Sequence, residues 1–124
     1  CDIGRLPVIA EEAPEAYRIV CGVLDESSDW LNGTSGEKLR CEAAEHSGTL
    51  RLESVAPGLA AKPVLCLGGS LDIYTPPEQH CEPLRRAVER AGGTQFRSVR
   101  WPTDHFLSDY RLQTSETVLE FLKS

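Results

Sequence analysis

A chain of 124 residues that is 40% hydrophobic and 26% charged has the balance of one ordinary globular domain with a modest core. Its net charge of −6 speaks against a nucleic-acid partner, which calls for a basic face. No apolar run approaches the roughly 18 residues of a membrane span, and no signal-peptide pattern appears, so no membrane partner is expected and the expected compartment is cytoplasmic.

In chain order, the first half reads as helical and irregular. From Pro14 to about Leu31 the apolar positions Tyr17, Val20, Cys21, Leu24 and Leu31 fit a helix, with Pro14 in its first turn. Asn32-Gly33-Thr34-Ser35-Gly36 is a turn cluster. Residues 37–46 make a short polar helix that Gly48 is expected to end. Residues 49–60 are ambiguous: Leu50 and Leu52 alternate like a strand, whereas Leu52, Val55 and Leu59 have helical spacing.

The second half carries a clearer pattern. Lys62-Pro63-Val64-Leu65-Cys66-Leu67 is nearly all apolar and ends in Gly68-Gly69, as for a strand buried on both faces of a parallel sheet. Thr75 and Glu78 have capping-box spacing, with Pro76 at the first helical position. The helix that follows is expected to bury Cys81, Leu84, Val88 and Ala91 and to end at Gly92-Gly93. Its other face, with Glu82, Arg85, Arg86 and Arg90, reads as solvated and internally paired. Phe96 to Trp101 alternates with a period of two, a half-buried strand that Pro102 stops because it has no N–H to donate. Leu112, Val118, Leu119 and Leu122 then mark a last helix over residues 108–123. These elements form a βαβ unit with parallel strands plus a final helix. Two strands are too few for a stable sheet, so an incomplete sheet with an unpaired strand edge is expected.

The chemistry concentrates at the two strand ends. Asp72 follows the first strand and His105 the second, and adjacent parallel strands end about 5 Å apart. A carboxylate there can accept from imidazole Nδ1–H, fix the tautomer and stabilise the imidazolium formed during proton transfer. Taken singly, Asp72 is a turn residue after Gly-Gly and His105 a loop histidine bonded to Asp104 or backbone; taken together, in this order and topology, they are candidates for catalysis. The other histidines invite less. His80 lies early in an amphipathic helix with a solvated or packing role, and His46 sits near a helix end, where it favours the dipole. Trp30 and Trp101 read as core or cap packing.

The five cysteines (1, 21, 41, 66 and 81) are odd in number and show no C-x-x-C pair or ligand-like spacing with the histidines. Reduced, mostly buried thiols are expected, with no metal and no cofactor. The chain has no methionine, so it reads as a fragment or a processed chain. Cys1 as an autoprocessed nucleophile or a lipidated residue is disfavoured by the D-I-G-R-L-P-V-I-A that follows it.

K-P-V-L-C-L-G-G-S-L-D, then T-P-P-E, a helix, and R-W-P-T-D-H-F-L-S-D-Y-R resembles the C-terminal part of an α/β-hydrolase, nearest to the dienelactone-hydrolase and prolyl-oligopeptidase-like esterases and peptidases. The resemblance covers residues 62–124, and residues 1–61 look similar, weakly, to a helical cap-like segment. It implies that Asp72 is the triad acid and His105 the general base, with a small ester or peptide as substrate. The family's nucleophile stands on a G-x-S-x-G elbow, and no serine here has glycine at both −2 and +2. Ser35 and Ser70 have only the first glycine, and Ser70 is too near Asp72 to act with it as a separate triad member. The expectation is therefore the acid–base half of a serine-type acyl hydrolase, inactive alone. A second copy or a partner chain would complete the sheet. The alternative is a non-catalytic module that pairs through its exposed strand edge.

Overall fold

The computed structural model describes residues 2–124, so Cys1 lies outside the described residues. The chain is mixed α/β, with seven α-helices and a two-stranded parallel sheet among those residues. It divides into two compact units, one ending at Ser54 and one beginning at Val55. Within the second unit Ala56 packs with Ala87 and Val88. No helix among the described residues is long and apolar enough to cross a membrane.

The first unit is wholly helical. A 3₁₀ turn at Ile3–Arg5 leads into α1 (Leu6–Glu12), α2 (Pro14–Ser28), α3 (Gly36–Glu45) and α4 (Ser47–Leu50). Ala13 separates α1 from α2 because the proline after it pushes its backbone out of the helical region (φ −144°, ψ 69°). Ser35 caps α3 by accepting from Lys38 N–H at 3.2 Å, leaving that hydroxyl committed to structure. Leu6, Val20 and Ala43 form the core, with Ile3, Tyr17 and Leu24 against them. Gly48 does not end α3 as expected but lies inside α4. The ambiguous stretch is helical, as a 3₁₀ turn at Leu52–Val55 and α5 (Ala56–Leu59), so no strand is drawn from it. Trp30 is 89% exposed, against the packing role expected of it.

The second unit runs from α5 through β1 (Val64–Gly69), α6 (Cys81–Arg90), β2 (Phe96–Trp101), a 3₁₀ turn at Ser108–Tyr110 and α7 (Arg111–Lys123). β1 and β2 pair in parallel, from Val64↔Phe96 to Gly69↔Trp101, as a βαβ unit requires. Ala56, Ala87 and Val88 are buried, with Leu59, Leu84 and Phe96 packed on them. Three expectations fail here. β1 is half-buried along Val64–Gly68 rather than enclosed on both faces, and among the described residues β2 is its one strand neighbour. Ala91 is exposed, and Ala87 takes the core position beside Val88. No residue of α7 is buried, and Leu112, Leu119 and Leu122 of its apolar stripe are exposed. The cysteines are also more open than expected: Cys21, Cys66 and Cys81 are half-buried and Cys41 exposed, all as free thiols.

Candidate functional site

The connection from β1 to α6 carries Asp72, and the connection from β2 to α7 carries His105. Two features fix these loops against each other. Ser70 N–H donates to the Trp101 carbonyl at 2.8 Å and Leu71 N–H to that of Thr103 at 3.1 Å, extending the parallel ladder past the strands. Gly69 then lets the second loop approach closely, for a Cβ there would lie 2.3 Å from the Thr103 carbonyl oxygen. Thr103 itself is fully buried.

Asp72 Oδ2 lies 2.8 Å from His105 Nδ1. The carboxylate is nearly covered, its side chain 6% exposed, whereas the imidazole is 39% exposed. Asp72 Oδ1 accepts from the backbone N–H groups of Tyr74 and Thr75, both at 2.8 Å. Oδ2 accepts from the Thr75 hydroxyl at 2.5 Å as well as from His105. Burial alone would raise the Asp72 pKa, but the hydrogen bonds from Thr75, His105 and Tyr74 outweigh it and hold the carboxyl below its ordinary value. An ionised acceptor puts the proton of neutral His105 on Nδ1 and makes Nε2 the basic nitrogen. Nε2 has no hydrogen-bond partner among the described residues.

Thr75 is the residue that reading the sequence missed. Its hydroxyl does not cap the next helix, which begins only at Cys81; it bonds Asp72 and lies 3.2 Å from His105 Nδ1. The available signal was the Asp72-x-x-Thr75 spacing, since an Asp side chain commonly accepts from backbone N–H groups two and three residues on. Asp104 holds the His105 loop in a similar way, accepting from Phe106 and Ser108 N–H, both at 3.1 Å, and from the Ser108 hydroxyl at 2.9 Å. Those bonds, Ser108 first, lower the Asp104 pKa.

The exposed side of His105 faces a recess of about 280 Å³ lined by Leu71, Ile73, Tyr74, Asp104, His105 and Phe106. Tyr74 and Phe106 set their rings edge-on to the imidazole at centroid distances of 5.5 and 5.3 Å. Apart from the Asp104 and His105 groups and the Tyr74 hydroxyl the lining side chains are apolar, suited to a carbon-rich group beside a base. His80 is buried ahead of α6, and His46 is exposed beyond α3. Neither joins the pair. No group of three or more His, Cys, Asp or Glu side chains among the described residues is arranged to hold a metal ion. Ser70, the serine in the first of these loops, is exposed. No protein-family model, no curated protein and no solved structure matches the chain.

Proposed function

We propose that this chain supplies the acid–base half of a serine-type acyl hydrolase of the α/β-hydrolase kind, with His105 as general base and Asp72 as the acid that orients it. The observation that carries the reading is the 2.8 Å contact from Asp72 Oδ2 to His105 Nδ1 at the C-terminal ends of two parallel strands. A bare surface pair would not need an Asp72 that is covered and held ionised by three further donors. In the reaction, His105 Nε2 takes the proton of an attacking hydroxyl. It returns that proton to the leaving alcohol or amine as the tetrahedral intermediate collapses. Asp72 keeps Nδ1–H aimed and balances the charge of the imidazolium between those steps. The apolar recess favours an ester or amide with a hydrocarbon or aromatic group next to the scissile bond.

The nucleophile comes from polypeptide other than these residues, which also supplies a strand beside β1. The half-covered face of β1 and the exposed stripe of α7 favour such an association. They equally suit a hydrolase-derived module that binds a partner without catalysing. One experiment separates the two. Protein from its native source is treated with a fluorophosphonate probe and weighed intact under denaturing conditions. An adduct on a longer polypeptide containing this sequence, or on a tightly bound partner, supports the hydrolase. An unlabelled lone chain of 13.6 kDa supports the module. The purified 124-residue chain is expected to hydrolyse activated esters no faster than its His105→Ala variant, because triad members act as a unit.

A further inference from the structure

On the sheet face that α6 covers, a second reactive cluster stands apart from the Asp72–His105 pair. Cys66 of β1 and Ser98 of β2 are register partners and so project to the same side of the sheet. Cys81, the first residue of α6, sets its Sγ 3.5 Å from Ser98 Oγ. The Cys66 and Cys81 thiols thus meet beside Ser98, close enough for each to perturb the other. Both are half-buried, so they are held in place yet remain accessible. Arg100 of β2 adds positive charge, itself bonded to Glu78 at 3.3 Å and to Glu82 of α6.

We propose that Cys66 and Cys81 are a dithiol site for hydroperoxides, in which Cys81 is the attacking thiol and Cys66 the resolving one, closing to an intramolecular disulfide. This stands independently of the hydrolase reading. The environment divides the two thiols. Cys66 keeps its proton: the neighbouring Cys81 thiol raises its pKa, and burial raises it further. The neighbouring Cys66 thiol, the Ser98 hydroxyl and Arg100 lower the Cys81 thiol to about 6, against burial and the Glu82 charge. The N-terminus of α6 favours a thiolate in the same sense.

The chemistry balances as follows. The Cys81 thiolate attacks one oxygen of the hydroperoxide; an S–O bond forms, the O–O bond breaks, and the released alkoxide or hydroxide takes a proton from water. Cys66 then attacks the Cys81 sulfur as it gives up its proton. The S–S bond forms, the S–O bond breaks, and the departing hydroxide leaves as water. Two electrons pass from the two sulfurs to the peroxide, giving one disulfide, one alcohol (or water) and one water. The ring so closed contains the β1–α6 connection that carries Asp72 and Thr75.

The test treats the full chain with one equivalent of hydrogen peroxide at neutral pH, alkylates the remaining thiols, and maps the products under non-reducing conditions. The expected product is a monomer lighter by two hydrogens, with Cys66 linked to Cys81 and restored by dithiothreitol. In Cys66→Ser the reaction is expected to stop at a Cys81 sulfenic acid that dimedone traps. The wild-type chain gives a second readout that needs no variant: Cys81 is expected to react with iodoacetamide at least about fivefold faster than exposed Cys41 at pH 7. No oxidation, a disulfide through Cys21 or Cys41, covalent dimers as the main product, or Cys41 alkylating first would overturn the proposal.

Discussion

Gly69 and Thr103 touch backbone to backbone at the point where the two strands end: a Cβ on Gly69 would lie 2.3 Å from the Thr103 carbonyl oxygen and 2.5 Å from that of Asp104. Neither obstacle is a side chain that can rotate away. Gly69→Ala must therefore push the loop carrying His105 off the loop carrying Asp72. The expected cost is about 1–3 kcal/mol of stability, as for overpacking elsewhere. It is accompanied by loss of the Asp72–His105 bond, seen in ¹⁵N spectra as His105 leaving the Nδ1–H tautomer. An alanine variant of wild-type stability that keeps that tautomer would contradict the account.

Thr75→Val keeps the shape of the side chain and removes one donor. Asp72 Oδ2 then loses the 2.5 Å bond from the hydroxyl but keeps its bonds from two backbone N–H groups and His105. Hydrogen bonds to charged groups contribute about 1.5–3 kcal/mol, so a loss of that size is expected in urea unfolding. The Asp72 pKa should rise, which carboxyl ¹³C titration reads. A purely structural threonine would leave that titration where it was.

The βαβ unit was legible because each of its strands has a pattern that few alternatives share. Val64–Leu67 is an unbroken apolar run, and Phe96–Trp101 alternates. Once the strands are parallel, the meeting of Asp72 and His105 follows from topology. Coverage was not legible. The stripe on α7 gives the face of a helix, but periodicity does not say whether anything packs on it, and Leu112, Leu119 and Leu122 are exposed. Trp30 misled in the same way. Small residues hid the true cores, since Ala43, Ala56 and Ala87 are buried where close approach matters more than hydrophobic bulk. The Thr75 hydroxyl fits two local patterns, a cap for the helix after it and a donor to the carboxylate three residues before it, and the covered Asp72 has the stronger claim.

Leu107 is the sole non-glycine residue with positive φ among the described residues, at +53°, and it lies two residues after His105. A leucine in the left-handed region is held there at a cost of about 1–2 kcal/mol. The Asp104 bonds to Phe106 and Ser108 bracket it. Leu107→Asn, which tolerates this region better, is expected to stabilise the chain by about 0.5–1 kcal/mol and leave the His105 tautomer unchanged. Denaturant midpoints read the effect. Destabilisation would mean that the contacts of the half-buried leucine outweigh the backbone strain.

Asp72 also sets a pH dependence whose sign follows from its surroundings. Its folded-state pKa is lowered, so the stability it contributes is fully present above the unfolded value near 3.9 and is lost as pH falls through the lower folded value. Asp104 and Glu82 titrate in the same direction, so the wild-type curve alone does not isolate Asp72. The difference between wild type and Asp72→Asn does. Asparagine keeps one acceptor oxygen but loses the charge that Thr75, Tyr74 and His105 donate to, so at pH 6 the variant should be weaker by about 1.5–3 kcal/mol. The gap should not shrink between pH 6 and about pH 4.5 and should close at lower pH, as the wild-type carboxylate takes up its proton. Urea unfolding at half-unit steps of pH measures it directly. A gap that stays constant to pH 2 would show that the carboxylate's charge plays no part in holding His105.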